Sequence, residues 1–161
     1  MTANDTIAAV LDGSGKMLNR FVADLTPQEM LHRAQPEGNC TAWLIGHLIN
    51  SDRGALKALA TADLPALPEG FDKRFSREPG VPQAADFGDV TTLMPLFNQH
   101  RERLLAAVRS APAALLDKPL EKPHPMFSTV GQFVSFMALH TAIHTGQITM
   151  IRRSLGRPPM V

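Results

Sequence analysis

The chain has 161 residues, of which 44% are hydrophobic and 19% charged, and its formal net charge is +1 at pH 7. These values are typical of a globular protein and exclude a disordered or membrane-embedded chain. The near-neutral charge gives no electrostatic reason to expect nucleic acid or an acidic membrane as a partner. The length predicts a single domain over residues 1–161.

Cys40 is the only cysteine, so an internal disulfide and a cysteine-rich zinc site are both excluded. The first residues lack a basic segment followed by a long apolar run, so we expect no secretory signal. No stretch of 18 uninterrupted apolar residues is present to span a bilayer. These features predict a location in the reducing cytoplasm.

The spacing of apolar residues predicts an all-α protein with four main helices, because few segments alternate with a period of two. We expect the first helix over residues 5–23. Gly13 and Gly15 each cost about 1 kcal/mol relative to alanine, which predicts a kink or break there. A short helical turn follows, with Thr26 as its cap and Pro27 at its first position.

The second helix is predicted to begin after Asn39, a good N-cap, and to end near residue 60. Residues 61–88 form a long connection with four prolines and three glycines. Connections of this length are usually functional or form a crossover between helices of a bundle. Asp89 is predicted to cap the third helix, which ends near residue 110.

Residues 111–127 contain four prolines and predict an irregular connector. The fourth helix then opens with Ser128 and Thr129, and Thr129 and Gln132 have the spacing of a capping box. It extends to about Leu155, where Gly156 and the prolines after it favour a stop.

The apolar stripe of the fourth helix is interrupted by polar residues. The stripe comprises Val130, Phe133, Met137, His140, His144, Gln147 with Ile148, and Ile151. Its alternating spacing of three and four is that of a bundle seam. His140, His144 and Gln147 occupy positions where leucine or isoleucine is expected. Histidines four apart lie one above the other on a helix face, close enough to share a metal ion.

Two interpretations of His140 and His144 are open on this evidence. Buried histidines can be satisfied by the backbone or by another side chain, without any ion. Burying two neutral imidazoles nevertheless costs a few kcal/mol unless each finds a partner, and a metal ion supplies that partner. A third histidine at the same place would therefore favour a metal site.

The remaining histidines differ in how well their predicted positions suit a metal ligand. His47 lies on or beside the apolar side of the second helix, where a histidine bonded to a neighbouring helix is the common case. His100 falls on the apolar stripe of the third helix and is a candidate fourth inward group. His32 and His124 lie in connectors, where we expect both to be exposed to solvent.

Two segments, WLIGHL and HTAIHTGQITMIRRSLGRPP, together resemble the DinB-like (damage-inducible) metalloprotein superfamily. The matching positions are Trp43, Gly46, His47, Leu48, His140, His144, Gly146, Gln147, Arg153, Leu155, Gly156 and Pro158. The first and second histidines of this pattern lie 93 positions apart, so the resemblance covers nearly the whole chain.

This resemblance implies a four-helix bundle with up-down-down-up order and a long crossover between the second and third helices. It also implies a divalent metal ion held by His47, His140 and His144 in a pocket at one end of the bundle. Ligation by nitrogen alone suits zinc or nickel among other ions. Three protein ligands leave positions open, as catalytic sites do, whereas His100 as a fourth ligand would favour a structural ion.

The superfamily includes thiol-dependent S-transferases and a thiol-dependent isomerase. The resemblance therefore implies an enzyme that transfers a low-molecular-weight thiol to an electrophile of a small-molecule substrate. The alternatives are a metal-dependent hydrolase and a non-catalytic metal-binding or stress-response bundle. A homodimer is compatible with each of these functions.

Several other residues are candidates for the site. Gln147 is expected either to orient a ligand or bound water, or to form an interhelical hydrogen bond. Asn50 and Ser51, one turn after His47, are candidates to point into the pocket. Asp52 and Arg53 are expected to face solvent or to pair with neighbours.

The remaining candidates are two arginines, two glycines and the cysteine, for which a structural role is expected. Arg152 and Arg153 are expected at a solvated helix end, with an anionic substrate as the alternative. Gly46 and Gly146 are expected to allow close helix approach. Cys40 is expected to be a buried thiol, although the helix N-terminus could lower its pKa.

Overall fold

The computed structural model describes residues 1–76, 83–122 and 124–160, and no strand occurs among them. The helices are α1 (Ala3–Val22), α2 (Pro27–Met30), α3 (Thr41–Ala58), α4 (Phe71–Arg74), α5 (Leu93–Ser110), α6 (Ala113–Leu116) and α7 (Val130–Ser154). The predicted all-α class is confirmed. None of the described helices is both long and apolar enough to cross a membrane.

Helix α1 begins with a capping box that the sequence prediction missed. The Thr2 side chain accepts a hydrogen bond from the Asp5 amide, and the Asp5 carboxylate accepts one from the Thr2 amide at 2.8 Å. The helix continues past Gly13 and Gly15, so the expected break is absent. The Arg101 side chain lies 3.5 Å from the position that a Cβ of Gly15 would take, so α5 packs against this turn of α1.

The other helix starts show what local sequence patterns can predict. The α2 prediction is confirmed, since Thr26 and Glu29 form a capping box and Pro27 is the first helical residue. The prediction that Asn39 caps α3 is wrong. The N-cap is Cys40, whose side chain makes no capping hydrogen bond. Cys40 is fully buried, so packing fixes this helix start.

The starts of α5 and α7 are partly as predicted. Asp89 caps a 3-10 turn over Val90–Thr92, and α5 begins only at Leu93. Thr129 caps α7 by accepting from the Gln132 amide. The Gln132 side chain accepts from the amide of Ser128 instead of Thr129. Gly156 has a φ of 74° just beyond α7, a left-handed conformation that favours glycine and ends the helix.

Helices α1 and α3 each pack mainly against α5 and α7, which gives a four-helix bundle. One hydrophobic cluster joins the first halves of α3 and α5 to the second halves of α1 and α7. The other cluster joins the opposite halves. This distribution is the one that an up-down-down-up order requires, and the order itself stays a prediction.

The crossover between α3 and α5 covers part of α3. Phe75, just after α4, is fully buried and packs on Gly46, where a Cβ would lie 2.2 Å from its ring. Gly46 therefore makes room for the Phe75 ring of the crossover. This contact, and not the expected close approach of another bundle helix, requires glycine at this position. Residues 77–82 of the predicted connection lie outside the described residues.

Two arginines are buried: Arg152, which was expected at the surface, and Arg101, whose position was not predicted. Arg101 bonds to Asp52, which is 1% exposed, so the expectation that Asp52 faces solvent is wrong. Arg152 is 2% exposed and donates to the Phe21 carbonyl oxygen at 2.9 Å and to Asp24. The expected solvated position of Arg152 is therefore wrong as well. Both partners are distant in sequence, so helical periodicity could not reveal them.

Candidate metal centre

Helices α3 and α7 bring three histidines together between them. His47 lies in the first half of α3, and His140 and His144 lie on successive turns of α7. One ring nitrogen from each histidine lies within 4.8 Å of the others. His140 and His144 are buried and His47 is half-buried. The three residues that the sequence singles out thus form one cluster.

The rings are arranged so that their nitrogens converge. The Nε2 atoms of His140 and His144 are 2.8 Å apart. The ring of His47 stands nearly perpendicular to both, at 86° and 89°, with centroid distances of 5.1 and 5.2 Å. Three convergent imidazoles are a donor set that zinc, nickel and cobalt accept, so these residues fit a divalent ion.

Each histidine is held by a residue three or four positions away on its own helix. Trp43 stacks on His47 with a centroid distance of 4.9 Å and an interplanar angle of 9°. Phe136 stacks on His140 at 5.8 Å and 16°. These two contacts follow from i,i+4 spacing on a helix, which is the signal by which the sequence could have revealed them.

Gln147 supports His144 through a hydrogen bond, which orients the ring and also determines which ring nitrogen carries the proton. The Oε1 atom of Gln147 lies 2.7 Å from Nδ1 of His144. An amide oxygen only accepts, so Nδ1 of His144 carries the proton and its Nε2 lone pair faces the cluster. Of the two predicted roles of Gln147, the contact is the one expected for orienting a ligand.

The family model described as the DinB superfamily matches residues 11–148, which include all three histidines and Gln147. The chain belongs to the DinB superfamily. No curated protein matches it. Among solved structures it is similar to YfiT from Bacillus subtilis, described as a probable metal-dependent hydrolase with an unusual four-helix bundle topology. The TM-score is 0.69 at 18% identity, over 96% of this chain and 89% of YfiT, which confirms the four-helix bundle.

His100 of this DinB-superfamily chain does not join the cluster. It is fully buried on α5, and its Nδ1 donates to the Leu96 carbonyl oxygen at 2.8 Å. Burial is the main cause that lowers the pKa of His100, which favours the neutral form of this histidine. Among the described residues, the group of potential ligands therefore contains three histidines and no fourth member.

The polar residues one turn after His47 bond to the backbone. The Asn50 amide donates to the Asp72 carbonyl oxygen at 3.1 Å. The Ser51 hydroxyl donates to the carbonyl oxygen of His47 at 2.9 Å. Asn50 thus ties α3 to the crossover, and Ser51 makes a bond within its own helix.

The other predicted residues lie away from the cluster or are buried without a ligand role. Cys40 is buried and burial raises the pKa of its thiol, as expected for an inert core cysteine. Gly146 is exposed with no atom within 4 Å of a built Cβ, so it does not serve close helix approach. His32 is half-buried beside Ser154, against its expected exposure, whereas His124 is exposed as expected.

Proposed function

We propose that this chain is a metal-dependent enzyme in which His47, His140 and His144 hold a divalent ion, zinc or nickel, and that it transfers a low-molecular-weight thiol to an electrophile. The observation that carries the proposal is the cluster of three imidazole nitrogens within 4.8 Å, without a fourth protein ligand among the described residues. Structural zinc sites are usually closed by four protein ligands, whereas three leave room for a substrate.

The protein residues have distinct tasks in this proposal. The three histidines bind as neutral imidazoles. Gln147 keeps the proton of His144 on Nδ1, and thereby keeps Nε2 available as a ligand atom. The rings of Trp43 and Phe136 restrict the orientations of His47 and His140. A bound divalent ion supplies Lewis acidity, which lowers the pKa of a coordinated thiol or water toward neutrality.

The surroundings of the cluster favour a thiol over water as the nucleophile. A free thiol has a much lower pKa than free water, so the ion must lower the pKa of water further, and water benefits more from a nearby general base. No carboxylate belongs to the cluster among the described residues. Asp52, on the same helix as His47, is bonded to Arg101. A reducing cytoplasm, which keeps small thiols reduced, suits this reaction.

The proposed reaction is a displacement that needs no redox partner. The sulfur forms a bond to an electrophilic carbon, the leaving group departs with its bonding electron pair, and the thiol proton passes to solvent. A metal-dependent hydrolase is the second candidate, and the shared fold with YfiT, described as a probable hydrolase, favours it. A non-catalytic metal-binding bundle is the remaining alternative.

The first experiment measures metal per chain by plasma mass spectrometry on protein purified without a histidine tag. We expect about one equivalent in the parent, little in His144→Ala, and an unchanged value in the exposed control His124→Ala. Circular dichroism checks that each variant is folded. Failure of the parent to bind zinc or nickel after incubation would overturn both enzyme candidates.

The second experiment separates the candidates by chemistry. The metal-loaded protein is assayed with 1-chloro-2,4-dinitrobenzene and a panel of cysteine, glutathione and 2-mercaptoethanol, and separately with 4-nitrophenyl acetate without thiol. Thiol-dependent release of chloride that is lost in His144→Ala supports the transferase. Metal-dependent ester hydrolysis with no thiol reaction would replace it by the hydrolase.

A further inference from the structure

The large hydrophobic side chains that this chain exposes are concentrated on α1 and α7. Leu139, Ile143 and Met150 of α7 are 53%, 48% and 59% exposed. Val10 and Met17 of α1 are 50% and 37% exposed. These are five of the seven large hydrophobic residues that the described part of the chain exposes. Single exposed apolar side chains are normal, whereas a contiguous group of them marks an interaction surface.

The three side chains on α7 form the outer face of that helix. Positions 139, 143 and 150 are spaced by four and seven, which places them on one side of a helix. The buried Met137 and Ile148 lie about half a turn away from Leu139 and Met150. No aspartate, glutamate, lysine or arginine occurs in residues 130–151. The solvent side of a surface helix ordinarily carries charged residues, so packing within one chain does not account for this face.

Val10 and Met17 extend this face onto α1. Asn19, whose side chain bonds to a side chain of α5, lies about half a turn round α1 from both of them. Their flank therefore faces away from α5 and toward α7, the other main neighbour of α1. On α7, the half-buried Ala142 lies about half a turn from His140 of the cluster, and so lies on the side toward α1. Ala142 thus joins the two parts into one apolar surface, which we call the α1–α7 face.

The α1–α7 face is large enough for a specific contact between two copies of the chain. A groove lined by Met126, Gln132 and Leu139 continues it toward the start of α7, and Asp117 is the only charged residue in the lining of this groove. From Gln132 to Met150 the helix extends about 27 Å, and two adjacent helices with their side chains are about 20 Å wide. Two such faces together bury roughly 1,000 Å², the size at which specific interfaces begin.

We propose that the α1–α7 face is a homodimer interface, in which it packs against the same face of a second copy about a twofold axis. A twofold axis makes the surface its own partner, so apolar side chains meet apolar side chains and the outer face of α7 has no charge to desolvate. Ile143 lies between Leu139 and Met150 along the helix, so we expect it next to the axis and close to the partner's Ile143.

A second copy matches this face better than a membrane surface does. Helices that lie on a membrane carry lysine and arginine beside their apolar face, and residues 130–151 contain neither. The inference goes beyond the proposed function and does not depend on it, because the face is separate from the histidine cluster.

Analytical ultracentrifugation of the full chain tests the dimer, because the mass of one copy is 17.5 kDa. We expect the parent to sediment at twice this mass. Ile143→Lys places two like charges near the axis, and its dimer dissociation constant should rise at least about tenfold. Ala106→Lys is the matched control at an exposed alanine of α5, and should dimerise like the parent. Circular dichroism checks that both variants are folded.

A cysteine variant tests the position of the axis. Cys40 is buried and is the only native cysteine, so an introduced surface cysteine is the only accessible thiol. Ile143→Cys should form a disulfide-linked dimer with diamide, which takes up the two electrons and two protons of the two thiols. Ala106→Cys should form little, because the two Cα atoms of a disulfide lie only about 6 Å apart.

Three results would overturn the proposal. The first is a parent that stays monomeric at about 1 mM. The second is a dimer that Ile143→Lys leaves intact, and the third is equal crosslinking of the two cysteine variants. A monomeric parent that binds phosphatidylcholine vesicles, with binding lost in Ile143→Lys, would assign the face to a membrane instead. None of these results bears on metal content, so the proposed metal site stands or falls separately.

Discussion

Arg101 on α5 and Asp52 on α3 form a two-point ion pair inside the bundle, with nitrogen–oxygen distances of 2.8 and 3.1 Å. The same guanidinium donates to the Leu11 carbonyl oxygen and to Ser14 on α1, and to Thr141 on α7 at 2.8 Å. One side chain thus bonds to all three of the other bundle helices. Thr141 follows His140 in the sequence, so the hydrogen bond from Arg101 also holds the turn of α7 that carries a candidate ligand.

Removing the charge of Asp52 should destabilise the protein strongly. Asp52→Asn leaves Arg101 buried without its counter-charge, and we expect a loss of about 3–5 kcal/mol in the free energy of unfolding. Urea denaturation measures this loss. Lys16→Ala breaks the exposed pair with Asp12 and should change stability by less than about 1 kcal/mol. Equal effects of the two variants would contradict the buried pair.

Removing Gln147 should weaken metal binding without unfolding the protein. Gln147→Ala frees the proton of His144 to move to Nε2, and loss of such a support typically costs about tenfold to 100-fold in metal affinity. Competition with a chelator measures the dissociation constant for zinc. Leu139→Ala, at an exposed position on the same helix, is the control and should leave it unchanged. An unaltered affinity in Gln147→Ala would show that the hydrogen bond has no such role.

Two glycines one hundred positions apart should respond in opposite directions to alanine. Gly46→Ala places a Cβ at 2.2 Å from the buried Phe75 ring, and we expect a loss of about 1–3 kcal/mol. Gly146→Ala adds a methyl group in open space in a helix and should stabilise by about 0.5–1 kcal/mol. Thermal denaturation compares them. Rescue of Gly46→Ala by Phe75→Ala would locate the clash, and additive losses would argue against it.

The end of α7 should confer an acid-sensitive contribution to stability. Hydrogen bonds from the Arg157 guanidinium hold the pKa of Glu29 at about 2, below its ordinary value of 4.5. A lowered pKa in the folded state means that the stabilisation is complete above pH 4.5 and is lost as the pH falls toward 2. The stability difference between the parent and Glu29→Gln should therefore shrink over this window. Urea denaturation at several pH values measures it, and a constant difference would refute the role of the ion pair.

Local patterns predicted the elements of this fold better than they predicted its buried charges. The cap at Thr26 and the cap at Thr129 depend on bonds to residues three positions away, which a short window of sequence contains. The partners of Asp52 and Arg152 lie 49 and 128 positions away, so no local pattern could indicate their burial. The packing of Phe75 on Gly46 was missed for the same reason, because the crossover lacks periodicity.

The histidine cluster could be predicted because two kinds of signal coincide. The interrupted seam of the fourth helix indicates His140 and His144 without knowledge of any family. His47 needed the resemblance, since a single polar residue near an apolar stripe usually has a packing role. The roles of Phe136 and Trp43 depend on ring orientation, which sequence spacing permits but does not determine.

The stacking of Trp43 on His47 gives the protein an internal optical reporter. The chain contains one tryptophan, and its ring lies 4.9 Å from a candidate ligand at an angle of 9°. Its emission therefore comes from a single environment beside that imidazole. We expect binding of an ion at the cluster to change the intrinsic fluorescence of the unlabelled chain, both at equilibrium and in time-resolved mixing experiments.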